Sequence, residues 1–248
     1  MIPIYVLWVR QLKRYVRSRP RVIASLGQPV LFLLALGFGL GPVFRKAGQG
    51  SYLQFLAPGV IGMAVLFTAM FSGIELIWDR QFGFLKETLV APVPRIQIMI
   101  GRTLGGATVA VLQGLIVLII AVVAGFRVTH YGGLAWALVF MALIGLTFTA
   151  MGTALASVLA DFQAFQLVMN LVVMPIFFLS GALFPLVGLP KVLDVIATLD
   201  PLSYGVDGMR AALTGVGHFG MGMDIAVLLI LCAVLLGVGG WLFSRIQL

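Results

Sequence analysis

"FGFLKETLVAPVPR", residues 82–95, is a short charged run in a chain that is otherwise overwhelmingly apolar. Phe82, Leu85 and Leu89 fall at i, i+3 and i+7, a narrow apolar stripe of about two helical turns, with Lys86 and Glu87 beside it. Pro92 and Pro94 disfavour helical backbone at Ala91 and Val93, so the helix stops there and a stiff turn feeds the next segment. The flanking stretches, 54–77 and 103–125, are comfortable only in lipid. Any polar linker would reconnect them. Exposed apolar side chains in such a linker need either the lipid surface or another protein's groove to cover them.

Working outward, 61% of the 248 residues are hydrophobic and 10% are charged, whereas a soluble domain carries roughly 25% charged residues. The chain is therefore read as an all-α membrane protein, a single transmembrane domain over 1–248. A bilayer core of ~30 Å needs ~20 apolar residues per helix. Six stretches qualify, at about 22–41, 54–77, 103–125, 134–158, 164–187 and 224–243, the fifth carrying Pro175. With the N-terminus inside, the inner segments hold eleven Lys and Arg (Arg10, Lys13, Arg14, Arg17, Arg19, Arg21, Arg80, Lys86, Arg95, Arg102, Arg245). The outer ones hold five: Arg45, Lys46, Arg127, Lys191 and Arg210. This bias puts both termini and the 82–95 run in the cytoplasm. The same bias accounts for the net charge of +8 without nucleic acid. The N-terminus shows no signal-peptide pattern, and Cys232, alone in an apolar run, excludes an internal disulfide or a Cys-based zinc site.

Two further segments lie outside the spans. In "PIYVLWVRQLKRYVRSRP" (3–20), Tyr5, Trp8, Val9, Leu12, Tyr15 and Val16 share one helical face, and Arg10, Lys13, Arg14 and Arg17 the other. This suits a helix over 3–19 in the inner headgroup layer, serving as an anchor or as a partner contact. On the outer side, 188–215 holds two short helical pieces, near 190–198 and 202–213, too interrupted to cross and too apolar for a free loop. A re-entrant hairpin covered by protein fits them.

The chemistry present is sparse. No P-loop sequence occurs, so the chain does not cradle nucleotide phosphates that way, and neither a zinc-protease motif nor a nucleophile–His set is identifiable. The chain is not read as an enzyme. His130 and His218 lie in or near outer loops. Polar stripes run inside three spans: Thr68, Ser72, Glu75 and Asp79; Thr149, Thr153 and Ser157; Gln163, Gln166 and Asn170. Such residues hydrogen-bond across helices or line a wet path; packing is the favoured reading for the hydroxyls. Glu75 falls near the inner interface, where a carboxylate can stay hydrated. Small residues at close-packing spacing are Gly37 with Gly41, Gly101 with Gly105, and Ala150 with Ala154.

"WDRQFGFLKETLVAPVPRIQIMIGR" (78–102) resembles the cytoplasmic loop of type-2 ATP-binding-cassette exporter permeases, especially their daunorubicin-resistance-like branch. "FFLSGALFPLVGLPKVLDVIATLDPLSYGVDGMRAALTG" (177–215) is similar to the segment between the fifth and sixth spans of that family. The resemblance covers essentially the whole chain. It implies that Gly83, Phe84, Leu85, Lys86, Glu87, Thr88 and Leu89 form a coupling helix seated on a separate ATPase subunit, which binds ATP and Mg. It also implies an interface helix bearing Trp8, Arg10, Leu12 and Lys13, a permease homodimer in the lipid of the cell (inner) membrane, and a path between protomers lined by spans one, two and five. Candidates for that path are Phe32, Phe67, Phe71, Gln166, Asn170, Phe177 and Phe178. The expected function is ATP-driven export of amphiphilic drug-like or lipid-like molecules, with export of a lipid-linked polysaccharide by the same machine as the alternative. A stand-alone ion-coupled carrier using Glu75 or Asp161 is the reading from a different class.

Overall fold

A computed structural model describes residues 2–46, 50–84, 93–159, 161–188 and 190–245, and everything below concerns those residues. They form an all-helical assembly: α1 (Ile2–Arg17), α2 (Arg19–Gly39), α3 (Gly41–Lys46), α4 (Tyr52–Phe71), α5 (Ile74–Gln81), α6 (Arg95–Val123), α7 (Leu134–Val158), α8 (Phe162–Leu179), α9 (Lys191–Leu199), α10 (Pro201–Thr214) and α11 (Met221–Ser244). Six helical stretches are long and apolar enough to cross a bilayer: Val22–Gly39, Tyr52–Gln81, Arg95–Val123, Tyr131–Val158, Phe162–Leu179 and Met221–Ser244. The chain is a multi-pass membrane protein.

Helices α4 and α7 form the centre, with α6, α10 and α11 packed around them, while α2 and α8 expose most of their side chains. The second span is not one continuous helix. At Ser72 and Gly73 the ladder tightens to three-residue bonds, Gly73 N–H to Met70 O (3.1 Å) and Leu76 N–H to Gly73 O (2.9 Å). The cause is a backbone-to-backbone crossing with α7, where a Cβ on Gly73 would stand 2.3 Å from Gly152 O.

Several expected boundaries move. The third span starts at Arg95 rather than at 103. Pro94 fixes its start, Arg95 donates to Ser244 O (3.1 Å), and Arg102 is neutralised by Asp79, so neither cation ends the helix. The fifth span stops at Leu179 rather than at 187. Gly181, at φ +69°, reverses the chain, and the turn folds back onto α4, where Tyr52 donates to Leu183 O (2.8 Å). The first span ends at Gly39, short of 41.

The small-residue pairs divide. Gly101 and Gly105 receive α1, with Leu7 and Ile4 against the first and Gln11 and Trp8 against the second. Gly37 packs on Leu53 and Leu56, whereas Gly41 touches nothing. Ala150 and Ala154 adjoin Gly239 of α11. Thr153 and Ser157 bond back to the carbonyls of Thr149 and Thr153, which is the packing role.

Between the fifth and sixth spans two helices occupy 191–214, as the pattern predicts, and they differ sharply. Helix α10 is buried along most of its length, whereas α9 buries only Ala197. Arg210, counted with the outer-loop cations, is in fact enclosed: its guanidinium lies 4.1 Å above the Phe55 ring and donates to Gly181 O (2.9 Å). Burial draws its pKa down to about 10 against the opposing pull of Asp207. Asp200 caps α10 by accepting from Leu202 N–H (2.9 Å), yet burial pushes its carboxyl from 3.8 up to about 7, the Leu202 bond opposing. Below 3.8 folded and unfolded chains are both protonated. Between 3.8 and about 7 the unfolded chain releases the proton while the fold retains it, so stability falls as pH rises; above about 7 the dependence ends. Thermal midpoints in detergent should follow that curve, and Asp200→Asn, which keeps a capping oxygen, should flatten it.

Candidate functional site

A cavity of about 490 Å³ opens as a groove over α4, between α2 and α8. The floor is Met63, Ala64, Phe67, Thr68, Phe71 and Ser72. Helix α2 contributes Ser25, Gln28 and Pro29, α8 contributes Phe162 and Gln166, and α1 closes the foot with Gln11 and Tyr15. Trp78 stacks parallel on Phe162 (centroids 6.5 Å apart, planes 4° apart), bridging α5 to α8. The lining thus mixes aromatic rings with hydrogen-bonding side chains, and Glu75 joins it at the foot.

Of the predicted path residues, Phe67, Phe71 and Gln166 line this groove. Phe32 and Phe67 each pack edge-on against Phe177, at 5.8 Å and 6.4 Å, and Phe178 does so at 5.4 Å. Phe177 is completely buried by these contacts and cannot touch a solute in this conformation; it braces the wall from behind. Asn170 and Phe178 are exposed on α8 outside the lining. The sequence reading did not place Gln11, Tyr15, Ser25, Gln28, Trp78 or Phe162 on the path. Ser25 and Gln28, one turn apart in an apolar span, were the available signal.

Below the groove lies a charged foot. Asp79, almost fully buried, accepts from Arg10 Nη2 (2.9 Å) and from the buried Arg102 Nη2 (2.5 Å), with Arg14 Nη2 at 4.0 Å. Arg14 also donates to Glu75 Oε2 (3.2 Å). Glu75 is therefore largely buried and ion-paired, at the edge of the groove. Asp161 is committed too: it caps α8 by accepting from Ala164 N–H (2.7 Å). Counted at 1.5 Å per residue, Glu75 and Asp79 lie roughly 35–40 Å along the helical path from Tyr52, beyond a ~30 Å hydrocarbon core. Removing one member of a buried pair costs about 3–5 kcal/mol.

Helix α1 follows the start of α6 in the same direction. Its contacts advance in step, Trp8 Nε1 donating to Thr108 Oγ1 (2.9 Å) and Tyr15 OH to Gln113 Oε1 (2.7 Å). The face expected to carry solvated cations is divided: Arg10 and Arg14 turn to the acids of α5, while Lys13 and Arg17 stay exposed. Leu12 is half-buried.

Of the seven residues assigned to the coupling helix, Gly83 and Phe84 are described, and Leu85, Lys86, Glu87, Thr88 and Leu89 lie outside the described residues. Phe82 closes α5, and Gly83, at φ +80°, bends the chain immediately after it. Phe82 and Gly83 thus stand at a bend that ends α5. Phe82 and Phe84 both present substantial ring surface. Among the described residues no group of three or more His, Cys, Asp or Glu is arranged to hold a metal ion.

The sequence profile of the family described as "ABC-2 type transporter" matches residues 3–214. Nodulation protein J of Rhizobium leguminosarum bv. viciae is 31% identical over 215 residues, spanning 86% of this chain and 82% of that protein. Its counterpart in Rhizobium leguminosarum bv. trifolii is 32% identical over 215 residues, 84% and 81% of the two chains. Nodulation protein J of Rhizobium meliloti is 27% identical over 209 residues, 84% and 79%.

Proposed function

This chain belongs to the ABC-2 type transporter family as a permease subunit, and on that premise we propose that it is the membrane half of an ATP-driven exporter of amphiphilic drug-like or lipid-like molecules. ABC-2 permeases work with an ATP-binding subunit. ATP and Mg are bound there, and this chain supplies the moving path. The observation that carries the reading is the groove: aromatic rings and hydrogen-bonding groups share one cavity, with Glu75 at its edge, beside the Asp79 ion pairs that join the helices flanking 82–94. An amphiphile can meet both kinds of group at once.

A second copy of the chain, facing the first across α2, α4 and α8, would turn the open groove into a closed path. The coupling segment Gly83–Leu89 seats on the ATPase from the cytoplasmic side, and the α1 residues Trp8, Arg10, Leu12 and Lys13 move with it. The complex sits in the lipid of the inner membrane with both termini cytoplasmic, and residues 1–248 act as one permease domain. Nucleotide drives the cycle only through its differential affinity for two states, and substrate leaves when the state favoured by ATP binds it poorly. Gln11, Gln28 and Gln166 beside Trp78 favour one second reading, a lipid-linked saccharide whose hydroxyls meet the amides and whose ring faces meet the indole. The ion-coupled carrier loses ground, because Glu75 and Asp161 are both already engaged.

The test is reconstitution. Purified chain in liposomes is expected to move a fluorescent amphiphile only when the ATPase captured with it from native membranes, and ATP, are supplied. Gradient-driven movement by the chain alone, or failure to capture any P-loop ATPase, overturns the proposal.

A further inference from the structure

Three helices that are far apart in sequence meet at one carboxylate. Asp79 is the last buried residue of α5, one turn before the bend at Phe82 and Gly83. Its Oδ2 accepts from Arg102, in the second turn of α6 on the far side of the loop. Its Oδ1 accepts from Arg10 on α1, and Glu75 adds a second tie to α1 through Arg14. Both ends of the 82–94 loop are thus pinned to each other, and both are pinned to α1, through the two oxygens of a single side chain. Among the described residues α1 also runs along α6, through the Gly101 and Gly105 contacts and the Trp8–Thr108 and Tyr15–Gln113 bonds, and touches α2.

We infer that Asp79 is a positioning residue: its carboxylate clasps α1 and the two stems of the 82–94 loop into one rigid body, so that displacement of the loop carries α1 and the foot of the groove with it. The physical warrant is the geometry. A carboxylate that is nearly buried and shared by two guanidinium groups holds its partners in fixed directions, because leaving either oxygen unpaired at that depth is strongly disfavoured. Gln11 and Tyr15 of α1 line the groove, so rigid attachment of α1 to the loop stems links any pull on the loop to the shape of the cavity. This inference rests on the exporter reading for the origin of the pull; the rigidity itself does not depend on it.

The experiment therefore omits the ATPase. Full-length chain carrying Cys232→Ala, with nitroxide labels at Val16→Cys and Gln81→Cys, both exposed positions, is placed in lipid nanodiscs and diluted with unlabelled chain. Double electron–electron resonance should give one narrow distance distribution. Arg10→Ala is expected to broaden it roughly two-fold, and Arg10→Lys to keep it near the parent width, since a point charge still reaches Asp79. Asp79→Asn should broaden it further; where that variant does not insert, the Arg10 pair decides. An Arg10→Ala distribution as narrow as the parent's overturns the clasp. So does equal broadening in Arg10→Ala and Arg10→Lys, which would trace the effect to packing and not to charge. Failure of ATPase capture would sink the exporter reading and leave this result standing.

Discussion

Gly152→Val is expected to remove most of the folded protein from detergent extracts. Gly152 and Gly73 face each other where α7 crosses the second span: a Cβ on Gly152 would stand 2.4 Å from Met70 O, and one on Gly73 would stand 2.3 Å from Gly152 O. Both obstacles are backbone atoms, so no side-chain rotation relieves the clash and the helices must separate. Overpacking of a well-packed interior costs about 1–3 kcal/mol, and a collision with main chain belongs at the upper end or above it. A loss of ~3 kcal/mol moves a midpoint by on the order of 10 °C in a chain of this size. Size-exclusion profiles after graded heating measure the shift. Gly237→Ala is the matched control, because a Cβ there meets nothing within 4 Å. In mid-helix it should be neutral or gain about 0.5–1 kcal/mol. Equal behaviour of the two variants would show that the crossing is not as close as the structure has it.

The crossing also shows where sequence reading stops. Six spans were legible because lipid demands long apolar runs and tolerates few exceptions. The two helices between the fifth and sixth spans were legible because Pro190, Asp200 and Gly215 punctuate them. The span ends were less so. A charge inside a helix reads as a boundary until its partner is known, and Arg102 finds Asp79 only in three dimensions. The stripe Thr68, Ser72, Glu75 and Asp79 was visible as a periodicity, yet periodicity cannot say that its first three members face a cavity while the fourth faces two arginines. Of the aromatic candidates, Phe67 and Phe71 line the groove and Phe177 lies behind it, a distinction set by neighbours on other helices. Gln11 and Tyr15 were not placed in the groove because α1 looked like a surface helix. Its docking on Gly101 and Gly105 depends on two residues some ninety positions away.

Leu85→Asp and Leu89→Asp are each expected to abolish ATP-driven transport while leaving insertion intact. If these side chains seat in a groove of the ATPase, each contributes roughly 1.5–3 kcal/mol of apolar burial. A carboxylate in the same place forfeits that and adds the cost of desolvating an unpaired charge. A combined loss of ~4 kcal/mol corresponds to about a thousand-fold in affinity. Insertion should not suffer, because the segment lies between the second and third spans rather than within either. Two measurements separate the outcomes: the amount of ATPase retained on the affinity-purified chain, and the rate of ATP-dependent amphiphile movement in vesicles. Loss of both, with normal membrane abundance, supports the docking assignment. Survival of both shows that the ATPase grips elsewhere. The bend at Gly83 sharpens the expectation for Phe82: it stands before the bend, at the end of α5, so Phe82→Asp should weaken ATPase retention much less than either leucine change.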